Sequence, residues 1–460
     1  MTDTLFSTLP LPQEMLNNLE AIGYTSMTPI QAQSIPYALD GQDLIAKAKT
    51  GSGKTAAFAI GLLLKLNQRD FGTQALVLCP TRELSTQVAK EIRRLARFKA
   101  NIKVVTLCGG QPVGPQIGSL EHGAHIVVGT PGRIQDLLRK DKLHLERCNT
   151  VVLDEADRML DMGFYEPIDA ILGHTPEDRQ TLLFSATYPE GIKKLSAKLQ
   201  NAPVEVSVES IHSSDQIKQT FYSLGKTDKP DALSQLLAHH RPESTVVFCN
   251  TKVQCQEVSD HLNNQGYFAV ALHGDLEQRE RDQVLVQFSN RSCSILIATD
   301  VAARGLDIDS LEAVVNYDLP RDPDIYVHRI GRTGRAGKEG LAFSLCRDSE
   351  QYKLDNISEY LNMPLSCDRL GSLNNIGFEA PAKPTMRTLC IGGGRKDKVR
   401  PGDILGALTG ESGIPGSAVG KIDIFDYVAY VAVERNIARQ AHGRLSDGKI
   451  KGRRFKIRIL

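Results

Sequence analysis

Short apolar runs alternate with longer amphipathic segments along most of the chain. The first series of runs, rich in β-branched residues, occupies positions 75–79, 103–107, 125–128, 150–153 and 181–184. Between the first two runs, the segment STQVAKEIRRLARF repeats its apolar residues at helical spacing, at Val88, Ile92, Leu95 and Ala96. Such alternation of strands and helices predicts βαβ units and a parallel sheet.

A second series of apolar runs follows at 245–248, 268–272, 294–298, 313–317 and 341–345. The polar stretch 209–216 separates the two series and is typical of a linker, and a second break, rich in Gly, Asn and Pro, covers 371–385. We therefore expect an α/β domain with a parallel sheet at 1–208, another at 217–370, and a third domain at 386–460.

The last segment has a different pattern. It predicts a strand at 387–393, a helix at 401–410, strands at 421–425 and 427–433, a helix at 435–445 and a strand at 452–460. Pro401 suits the first position of a helix. This β-α-β-β-α-β order predicts a small α+β domain with the split βαβ topology that RNA-recognition motifs share.

Composition narrows the class of protein without identifying it. The longest uncharged apolar stretch, 56–64, is much shorter than a membrane span, and the N-terminus lacks the basic start of a signal peptide. The nine cysteines form no C-x-x-C pair, which argues against a zinc site or a disulfide framework. The sequence therefore predicts a soluble protein of the cytoplasm.

Charge is distributed unevenly along the chain. The whole chain carries a net charge of +1, but residues 383–460 hold 16 Lys and Arg against seven Asp and Glu, a net charge of +9. The preceding residues therefore carry a net charge of −8. A compact basic segment is typical of a module that binds a polyanion, although a solvated basic face would give the same count.

The segment AKTGSGKT at 48–55 follows an apolar run and precedes a helical pattern. Backbone N–H groups of such a turn wrap a phosphate, and the partial positive charge of the helix N-terminus adds to the attraction. Lys54 would neutralise the β- and γ-phosphates, and Thr55 would hold Mg²⁺. A flexible Gly-Ser turn is the alternative, but the Lys-Thr pair at the start of the helix favours a phosphate site.

Two adjacent carboxylates, Asp154 and Glu155, end a hydrophobic run. Open α/β sheets present their ligands at that edge. One carboxylate would coordinate Mg²⁺ and the other would activate water. An isolated Asp-Glu pair is usually solvated charge, but together with the upstream phosphate loop it predicts a Walker B element.

A phosphoryl-transfer site also needs positive charge close to the transition state. The segment YVHRIGRTGR places Arg329, Arg332 and Arg335 at three-residue spacing in the second domain. If these arginines reach the phosphates, ATP draws the two domains together. An exposed basic helix face is the alternative, but the two interspersed glycines argue against it.

Ten short motifs make residues 1–345 resemble the core of a DEAD-box RNA helicase. They are, in order, GYTSMTPIQ, AKTGSGKT, PTREL, GG, TPGR, DEAD, SAT, VVFCNT, ATDVAARGLD and HRIGRTGR. The resemblance implies two tandem RecA-like domains and ATP-driven closure that bends one RNA strand, so that a short duplex opens locally. Ala48 stands where the Walker pattern has Gly, as is usual for the family.

The resemblance also implies roles for single residues of the nucleotide site, with ATP and Mg²⁺ as cofactors. Gln31 would read adenine through its amide, and Phe6 would stack on the base. The phosphate loop would consist of Ala48, Lys49, Thr50, Gly51, Ser52, Gly53, Lys54 and Thr55. The catalytic residues would be Lys54, Asp154, Glu155 and the arginine fingers Arg332 and Arg335, with Gly305 and Asp307 completing the site. Coupling to closure would involve Asp157, Ser185, Thr187 and His328.

RNA contacts in this family fall on phosphates and sugars, which carry no base information. The matching positions are Pro80, Thr81, Arg82, Gly110, Thr130, Gly132 and Arg133 in the first domain and Gly274, Asp275 and Thr299 in the second. In the third domain, Tyr430 stands alone where RNA-recognition motifs usually have three aromatic residues. We therefore expect binding there through the basic residues Arg395, Lys396, Lys398, Arg400, Lys449, Lys451, Arg453 and Arg454.

Over its whole length the chain resembles the bacterial DbpA group of DEAD-box helicases, most specifically from Gly377 through the segment KPTMRTLCIGGGRKDKVRPGDILGALTG. The resemblance implies that the C-terminal domain grips a hairpin in the peptidyl-transferase region of 23S rRNA, with pre-50S particles as partners. A general RNA remodeller, an ATP-gated RNA clamp, a double-stranded-DNA translocase and a C-terminal domain that binds protein are the alternatives. Intact Glu155, Arg332 and Arg335 favour catalysis over a clamp, and Gln31 argues against a DNA translocase.

Overall fold

Three β-sheets organise the computed structural model, which describes residues 4–48, 51–188, 190–208, 217–303, 311–334, 339–373, 380–410 and 413–460. Two sheets are parallel with seven strands each, and the third is antiparallel with four. This confirms the predicted fold class of two tandem RecA-like domains followed by a small α+β domain of the RNA-recognition type. The predicted linker 209–216 lies outside the described residues, and the domain limits themselves stay predictions.

The first sheet is built from strands β1 Leu44–Lys47, β2 Ala75–Leu78, β3 Val104–Leu107, β4 Ile126–Gly129, β5 Thr150–Asp154, β6 Gln180–Ser185 and β7 Val204–Ser207. They lie in the order β3-β4-β2-β5-β6-β1-β7. The helices are α1 Gln13–Ala21, α2 Pro29–Leu39, α3 Lys54–Lys65, α4 Arg82–Leu95, α5 Val113–Leu120, α6 Pro131–Arg139, α7 Ala156–Asp161, α8 Tyr165–Leu172 and α9 Glu190–Leu199. Because the strands are parallel, the loops that follow their carboxyl ends meet at one edge of the sheet.

Helix α4 shows why the amphipathic segments form helices. Thr81 caps its N-terminus by accepting a hydrogen bond at Oγ1 from the Leu84 N–H, 3.3 Å away. The predicted stripe of Val88, Ile92 and Leu95 is fully buried against the sheet. Burying each such aliphatic side chain contributes roughly 1.5–3 kcal/mol. The helix is thus fixed by its cap and by one apolar face.

The second sheet contains β8 Ile217–Ser223, β9 Thr245–Phe248, β10 Ala269–Leu272, β11 Ile295–Ala298, β12 Ala313–Asn316, β13 Gly340–Cys346 and β14 Cys367–Arg369, in the order β10-β11-β9-β12-β13-β8-β14. Its helices are α10 Lys229–His240, α11 Lys252–Asn264, α12 Gln278–Ser289, α13 Asp300–Ala303, α14 Pro323–Ile330 and α15 Gln351–Leu361. Near the start of α10, the buried ammonium of Lys229 donates to Asp318 at 2.8 Å and to Glu350 at 3.2 Å. Lys353 donates to the second oxygen of Glu350 at 2.9 Å.

The third sheet contains β15 Met386–Ile391, β16 Val419–Ile424, β17 Ala429–Glu434 and β18 Ile457–Ile459, in the order β16-β17-β15-β18. Helices α16 Pro401–Thr409 and α17 Ala438–Asp447 complete the predicted split βαβ order. One face of the sheet packs on these helices through Leu389, Val431, Ile404, Leu408 and Leu445. The last strand is shorter than predicted: it begins at Ile457, and Lys451 and Gly452, with φ angles of 52° and 78°, form a turn where the prediction placed its start.

Helix α12 of the second α/β domain covers the other face of this third sheet. Tyr430 and Cys390, paired across β17 and β15, are buried against Val286 of α12. The Thr388 hydroxyl lies 2.6 Å from that of Ser292, and the Arg435 guanidinium lies 4.5 Å from the centroid of the Phe268 ring. We call this contact the seam; it comprises Phe268, Val286, Asn290 and Ser292 on one side and Thr388, Cys390, Tyr430 and Arg435 on the other.

Two general features concern the described residues only. None of their helices is both long and apolar enough to cross a membrane. All nine cysteines are free thiols, and no group of three or more His, Cys, Asp or Glu side chains among the described residues is arranged to hold a metal ion.

Candidate functional site

The predicted nucleotide residues of the first domain lie on three neighbouring strands. The phosphate loop follows β1, and the Asp154–Glu155 pair lies at the end of β5. The SAT segment, residues 185–187, lies at the end of β6, which is the strand between β5 and β1. Lys54 is buried, and its ammonium donates to the Ala48 carbonyl at 2.9 Å. The Ala48 N–H donates in turn to the Ser185 carbonyl at 3.0 Å. Lys49 and Thr50 lie outside the described residues.

Two side chains from the start of α2 hold the phosphate loop. The Thr28 hydroxyl donates to the Ser52 carbonyl at 2.7 Å, and the Gln31 amide donates to the Gly53 carbonyl at 3.1 Å. Gly53 has a φ of +92°, and a Cβ there would lie 2.4 Å from the Gln31 amide nitrogen, so glycine is required. Because the Gln31 amide is bonded to the phosphate loop, a ligand that binds this amide would also affect the position of the loop. The contribution of Thr28 was not predicted; its position three residues before Gln31, as in a capping box, was the available signal.

Phe6, predicted to stack on the base, is buried in this structure. Its ring packs edge-on against Tyr24, with 6.0 Å between the ring centroids. Its role at the nucleotide stays a prediction.

Asp154 has the geometry of a cation ligand. Its side chain is buried, and its Oδ1 has no hydrogen-bond partner among the described residues. Burial raises the pKa of Asp154 to about 7, while the nearby Lys54 opposes this rise and Glu155 adds to it. A buried carboxylate oxygen without a donor fits a divalent cation, which prefers oxygen ligands. Thr55, half-buried in the first turn of α3, is the hydroxyl predicted to share that cation.

Glu155 has a strained backbone conformation and a charged partner. Its φ of 56° is in the left-handed region, which costs on the order of 1–3 kcal/mol for a residue with a side chain and is concentrated at functional sites. Its carboxylate accepts a hydrogen bond from the Arg158 guanidinium at 3.0 Å, and the two side chains are only 4% and 6% exposed. Arg158 was not singled out from the sequence, although its i,i+3 position relative to Glu155 allowed the pair.

Asp157 connects the DEAD segment to the SAT segment. Its Oδ2 accepts hydrogen bonds from the Ala186 N–H at 3.2 Å and from the N–H and hydroxyl of Thr187 at 2.9 Å each. Ser185 donates through its hydroxyl to the Thr187 carbonyl at 2.6 Å. Burial would raise the pKa of Asp157, but the hydrogen bonds from Thr187 and the charges of Lys54 and Arg158 hold this pKa below its usual range. The carboxylate is therefore a charged acceptor that orders the SAT backbone.

The predicted RNA residues of the first domain occupy the other half of the same sheet edge. Their segments follow β2, β3 and β4, which are adjacent strands. The Arg82 guanidinium lies beside Gly110, and Arg133 donates to the Gln111 carbonyl at 3.1 Å. Gly110 and Gly132 are exposed, Thr81, Arg82, Thr130 and Arg133 are half-buried, and Pro80 is buried. One edge thus carries both predicted sites of this domain.

In the second domain, the predicted RNA residues follow β10 and β11. Gly274 and Asp275 are exposed, and Asp275 forms an ion pair with Lys252 at 2.9 Å. Thr299 directly precedes α13, and its hydroxyl accepts a hydrogen bond from the Ala302 N–H at 3.3 Å. His328 is half-buried on α14.

The arginines of the HRIGRTGR segment have different environments. Arg329 is 2% exposed, and its guanidinium donates to Asp300 at 2.6 and 2.7 Å and to the Asp318 carbonyl at 2.6 Å. These bonds engage Arg329 inside its own domain. Arg332 is 7% exposed. Arg335, Gly305 and Asp307 lie outside the described residues, so their predicted roles stay predictions.

The basic residues predicted to bind RNA in the C-terminal domain converge on one surface. The loop 395–400 follows β15, and the loop 449–454 precedes β18. Lys451 donates through its ammonium to the Lys398 carbonyl at 3.0 Å, which joins the two loops. All eight predicted basic side chains are exposed: Arg395, Lys396, Lys398, Arg400, Lys449, Lys451, Arg453 and Arg454. We call this surface the basic loop pair. Tyr430, by contrast, is buried in the seam and offers no stacking face to RNA.

Comparisons with known proteins agree with this architecture. The DEAD/DEAH box helicase family model matches residues 28–195, the helicase conserved C-terminal domain matches 228–337, and the DbpA RNA binding domain matches 388–459. These three regions contain strands β1–β6 of the first sheet, β9–β12 of the second and most of the third sheet.

Individual proteins match over long stretches. The ATP-dependent RNA helicase DbpA of Escherichia coli (strain K12) is 52% identical over 458 residues, which cover 99% of this chain and all of that protein. The DEAD-box ATP-dependent RNA helicase CshA of Geobacillus kaustophilus is 46% identical over 77% of this chain and 76% of that protein. A structure of Saccharomyces cerevisiae Dbp5 bound to RNA and ADP BeF3 superposes with a TM-score of 0.73 and 30% identity, covering 81% of this chain and 97% of that chain.

Proposed function

Because the chain belongs to the DEAD-box ATP-dependent RNA helicases and carries a DbpA RNA-binding domain, we propose that it locally opens short duplexes of 23S rRNA during assembly of the large ribosomal subunit. Its C-terminal domain would grip the hairpin in the peptidyl-transferase region, and pre-50S particles would be its partners. Ribosome assembly would place the protein in the cytoplasm. The proposed targeting to 23S rRNA rests on the exposed basic loop pair, which lies on the domain that matches the DbpA RNA binding domain model.

The nucleotide residues divide the chemistry of ATP hydrolysis among them. Lys54, in the first turn of α3, would neutralise the phosphates together with the helix N-terminus. Mg²⁺, held by Asp154 and Thr55, would supply charge neutralisation at the phosphates. Glu155 would accept a proton from the attacking water, and Arg332 and Arg335 would stabilise the transition state from the second domain.

The predicted RNA residues of the first domain, at the ends of β2, β3 and β4, support binding and opening of an RNA duplex whatever its base sequence. Backbone N–H groups at the starts of α4 and α6, with Arg82 and Arg133, suit phosphate oxygens. Asp157 is hydrogen-bonded to Thr187, so the position of the SAT segment would depend on whether a nucleotide is bound beside the DEAD residues. The base-dependent part of recognition is then left to the C-terminal domain.

The test is the rate of ATP hydrolysis against RNA concentration at one fixed salt concentration, because phosphate contacts make RNA affinity salt-dependent. A 23S rRNA fragment with the peptidyl-transferase hairpin is compared with an unrelated RNA of equal length and with duplex DNA. We expect half-maximal stimulation at a much lower concentration of the ribosomal fragment and none by DNA. Equal stimulation by the two RNAs would instead make the protein a general RNA remodeller.

One observation favours a second candidate function, the ATP-gated RNA clamp. The Glu155 carboxylate is buried and one of its oxygens is occupied by the Arg158 guanidinium, which leaves it less free to turn towards an attacking water. If the pair persists with ATP bound, turnover is slow and RNA stays held. Hydrolysis at well below one turnover per minute with saturating ribosomal RNA would support the clamp, whereas ordinary turnover of roughly 1 per second or more excludes it.

A further inference from the structure

The hairpin between β16 and β17 carries the most exposed large apolar or aromatic side chain among the described residues, Tyr427, at 67%. The turn is tight, because the Phe425 N–H donates to the Val428 carbonyl at 2.8 Å and leaves Asp426 and Tyr427 at its tip. Neither the sequence motifs nor the family matches assign this residue a role. A single exposed ring is common on protein surfaces, so only the surroundings of Tyr427 can indicate a ligand.

The basic loop pair is fastened directly to this hairpin. The N–H groups of Arg395 and Lys396 donate to the carbonyls of Phe425 and Asp426 at 2.8 and 2.9 Å. The Arg395 guanidinium donates to the Ile424 carbonyl at 2.8 Å and lies 3.7 Å from the Asp426 carboxylate.

The approach of the two backbones requires a small residue. A Cβ on Gly394 would lie 2.3 Å from the Phe425 carbonyl oxygen, so glycine is needed where the loop crosses the hairpin. Tyr427 therefore stands on a hairpin whose backbone is bonded directly to the loop that carries the exposed Arg395 and Lys396.

We propose that Tyr427 is a stacking platform for an unpaired base of the RNA whose phosphates lie on the basic loop pair. A base has an apolar face and lies next to an anionic backbone, which matches an exposed ring flanked by cations. An apolar protein partner would have to desolvate the exposed Arg395 and Lys396 of the loop bonded to this hairpin, which is unfavourable. Tyr430 is buried and Phe425 and Phe455 are partly buried, so Tyr427 is the exposed aromatic ring among the described residues of this domain.

This inference deepens the proposed function and rests on it for the identity of the RNA. It assigns recognition of an unpaired base to a loop aromatic instead of the face of the sheet. Stacking depends little on base identity, so discrimination among RNAs would come from the requirement for an unpaired base at a fixed distance from the phosphates on the basic loops.

The experiment uses the full-length protein with Tyr427→Ala, Tyr427→Phe and Arg454→Ala, and with Tyr352→Ala as a control. Tyr352 is also exposed, at 57%, but lies on α15 of the second domain. Affinity for the ribosomal hairpin is measured at several salt concentrations by fluorescence anisotropy. Single unpaired positions of the hairpin are replaced by 2-aminopurine to report stacking.

We expect Tyr427→Ala to weaken binding by about five- to 150-fold, with Tyr427→Phe and Tyr352→Ala close to the wild type. The salt dependence of Tyr427→Ala should match that of the wild type, whereas Arg454→Ala should reduce the slope by about 0.7–0.9. One 2-aminopurine position should be quenched by the wild type and not by Tyr427→Ala. Equal affinities of Tyr427→Ala and the wild type for every RNA would overturn the proposal.

The outcomes separate this inference from the proposed function. If the wild type binds ribosomal and unrelated hairpins equally, the ribosomal target fails, and a loss of affinity for both in Tyr427→Ala still supports stacking. If the wild type prefers the ribosomal hairpin and Tyr427→Ala keeps both the affinity and the quenching, the target stands and stacking on Tyr427 is refuted.

Discussion

The carboxylate of Asp157 accepts two hydrogen bonds from Thr187, one from the backbone N–H and one from the hydroxyl, each 2.9 Å long. The two residues belong to segments 30 positions apart in sequence, at the ends of the adjacent strands β5 and β6. The position of the SAT segment therefore depends on the position and the charge of Asp157, which follows Asp154 and Glu155 in the sequence.

Replacing Thr187 by Ala should uncouple hydrolysis from RNA opening. The variant loses one hydrogen bond to a charged acceptor, worth about 1.5–3 kcal/mol, but keeps the backbone donor. We expect duplex opening to slow by about ten- to 100-fold, while ATP affinity changes by less than about threefold. Strand-displacement rates and nucleotide titrations measure the two effects. Thr187→Ser keeps the hydroxyl and should behave like the wild type; parallel losses of ATP affinity and unwinding in Thr187→Ala would contradict the coupling role.

Glu155→Gln should remove hydrolysis and leave nucleotide binding. The amide cannot accept the proton of water, and loss of a general base typically lowers rates by 10²- to 10⁴-fold. We expect a drop of about that size in RNA-stimulated ATPase rate, with RNA still bound in the presence of ATP. Glu166→Gln, exposed on α8, is the matched control. A fall of less than about tenfold would show that Glu155 is not the base.

Glu350 should make stability depend on pH. Burial would raise the pKa of Glu350, but the hydrogen bond from Lys353 and the charge of Lys229 outweigh it and lower this pKa below its reference value of 4.5. Because the folded pKa is the lower one, the stabilisation is present above pH 4.5 and is lost as pH falls below it. Glu350→Gln should therefore lower the free energy of unfolding by about 1–3 kcal/mol at pH 7.

Thermal unfolding of the wild type and of Glu350→Gln from pH 7 downward measures this effect. We expect the difference in midpoint to shrink as the pH falls below 4.5. Glu359→Gln, which removes an exposed carboxylate from the same helix region, should match the wild type throughout. A midpoint difference for Glu350→Gln that is constant with pH would mean that the ion pairs with Lys229 and Lys353 contribute nothing.

Arg435→Ala should loosen the seam. Across the seam the guanidinium stacks on Phe268 and donates to the Ser292 carbonyl at 3.5 Å; on its own side it donates to the carbonyls of Pro384 and Met386, at 2.5 and 3.2 Å. Losing a cation–π contact and charge-assisted hydrogen bonds should cost about 2–4 kcal/mol. Faster amide hydrogen exchange in α12 and β15 is the expected readout. Arg439→Ala, which removes an exposed arginine of α17, is the control; unchanged exchange in Arg435→Ala would show that the seam does not depend on this contact.

Much of the fold followed from local patterns. Strand β9 has the predicted bounds, and most other strands differ by one or two residues, because short apolar runs between turns carry their own signal. Strands β7, β8 and β14 were missed. The sequence of β8, IKQTFYS, mixes polar and apolar residues and only two of them are fully buried, so it lacks the continuous apolar run of a central strand.

The sequence predicted those site residues that occur together in a short motif. It did not predict contacts between residues that are far apart in the sequence. Lys54, Asp154 and Glu155 occur in motifs whose residues are adjacent in sequence. The seam brings Val286 of α12 against Tyr430, and nothing in the largely polar segment QRERDQVLVQFS marks a contact with a strand more than a hundred residues later. Tyr427 was passed over because its exposure and its neighbours are set by how the loop 395–400 crosses the hairpin.

The seam also determines how far the basic loop pair can move from the predicted RNA residues of the second domain. A module attached only by a linker explores a volume that grows with linker length, and its local concentration near a second site falls accordingly. Here the sheet face is fixed on α12, so the basic loop pair keeps a set distance from Gly274 and Thr299 at the ends of β10 and β11. Lengthening the 371–385 segment should then matter little, whereas adding base pairs between hairpin and target duplex in the substrate should matter greatly. The protein would thus measure spacing along its RNA as well as recognise an element within it.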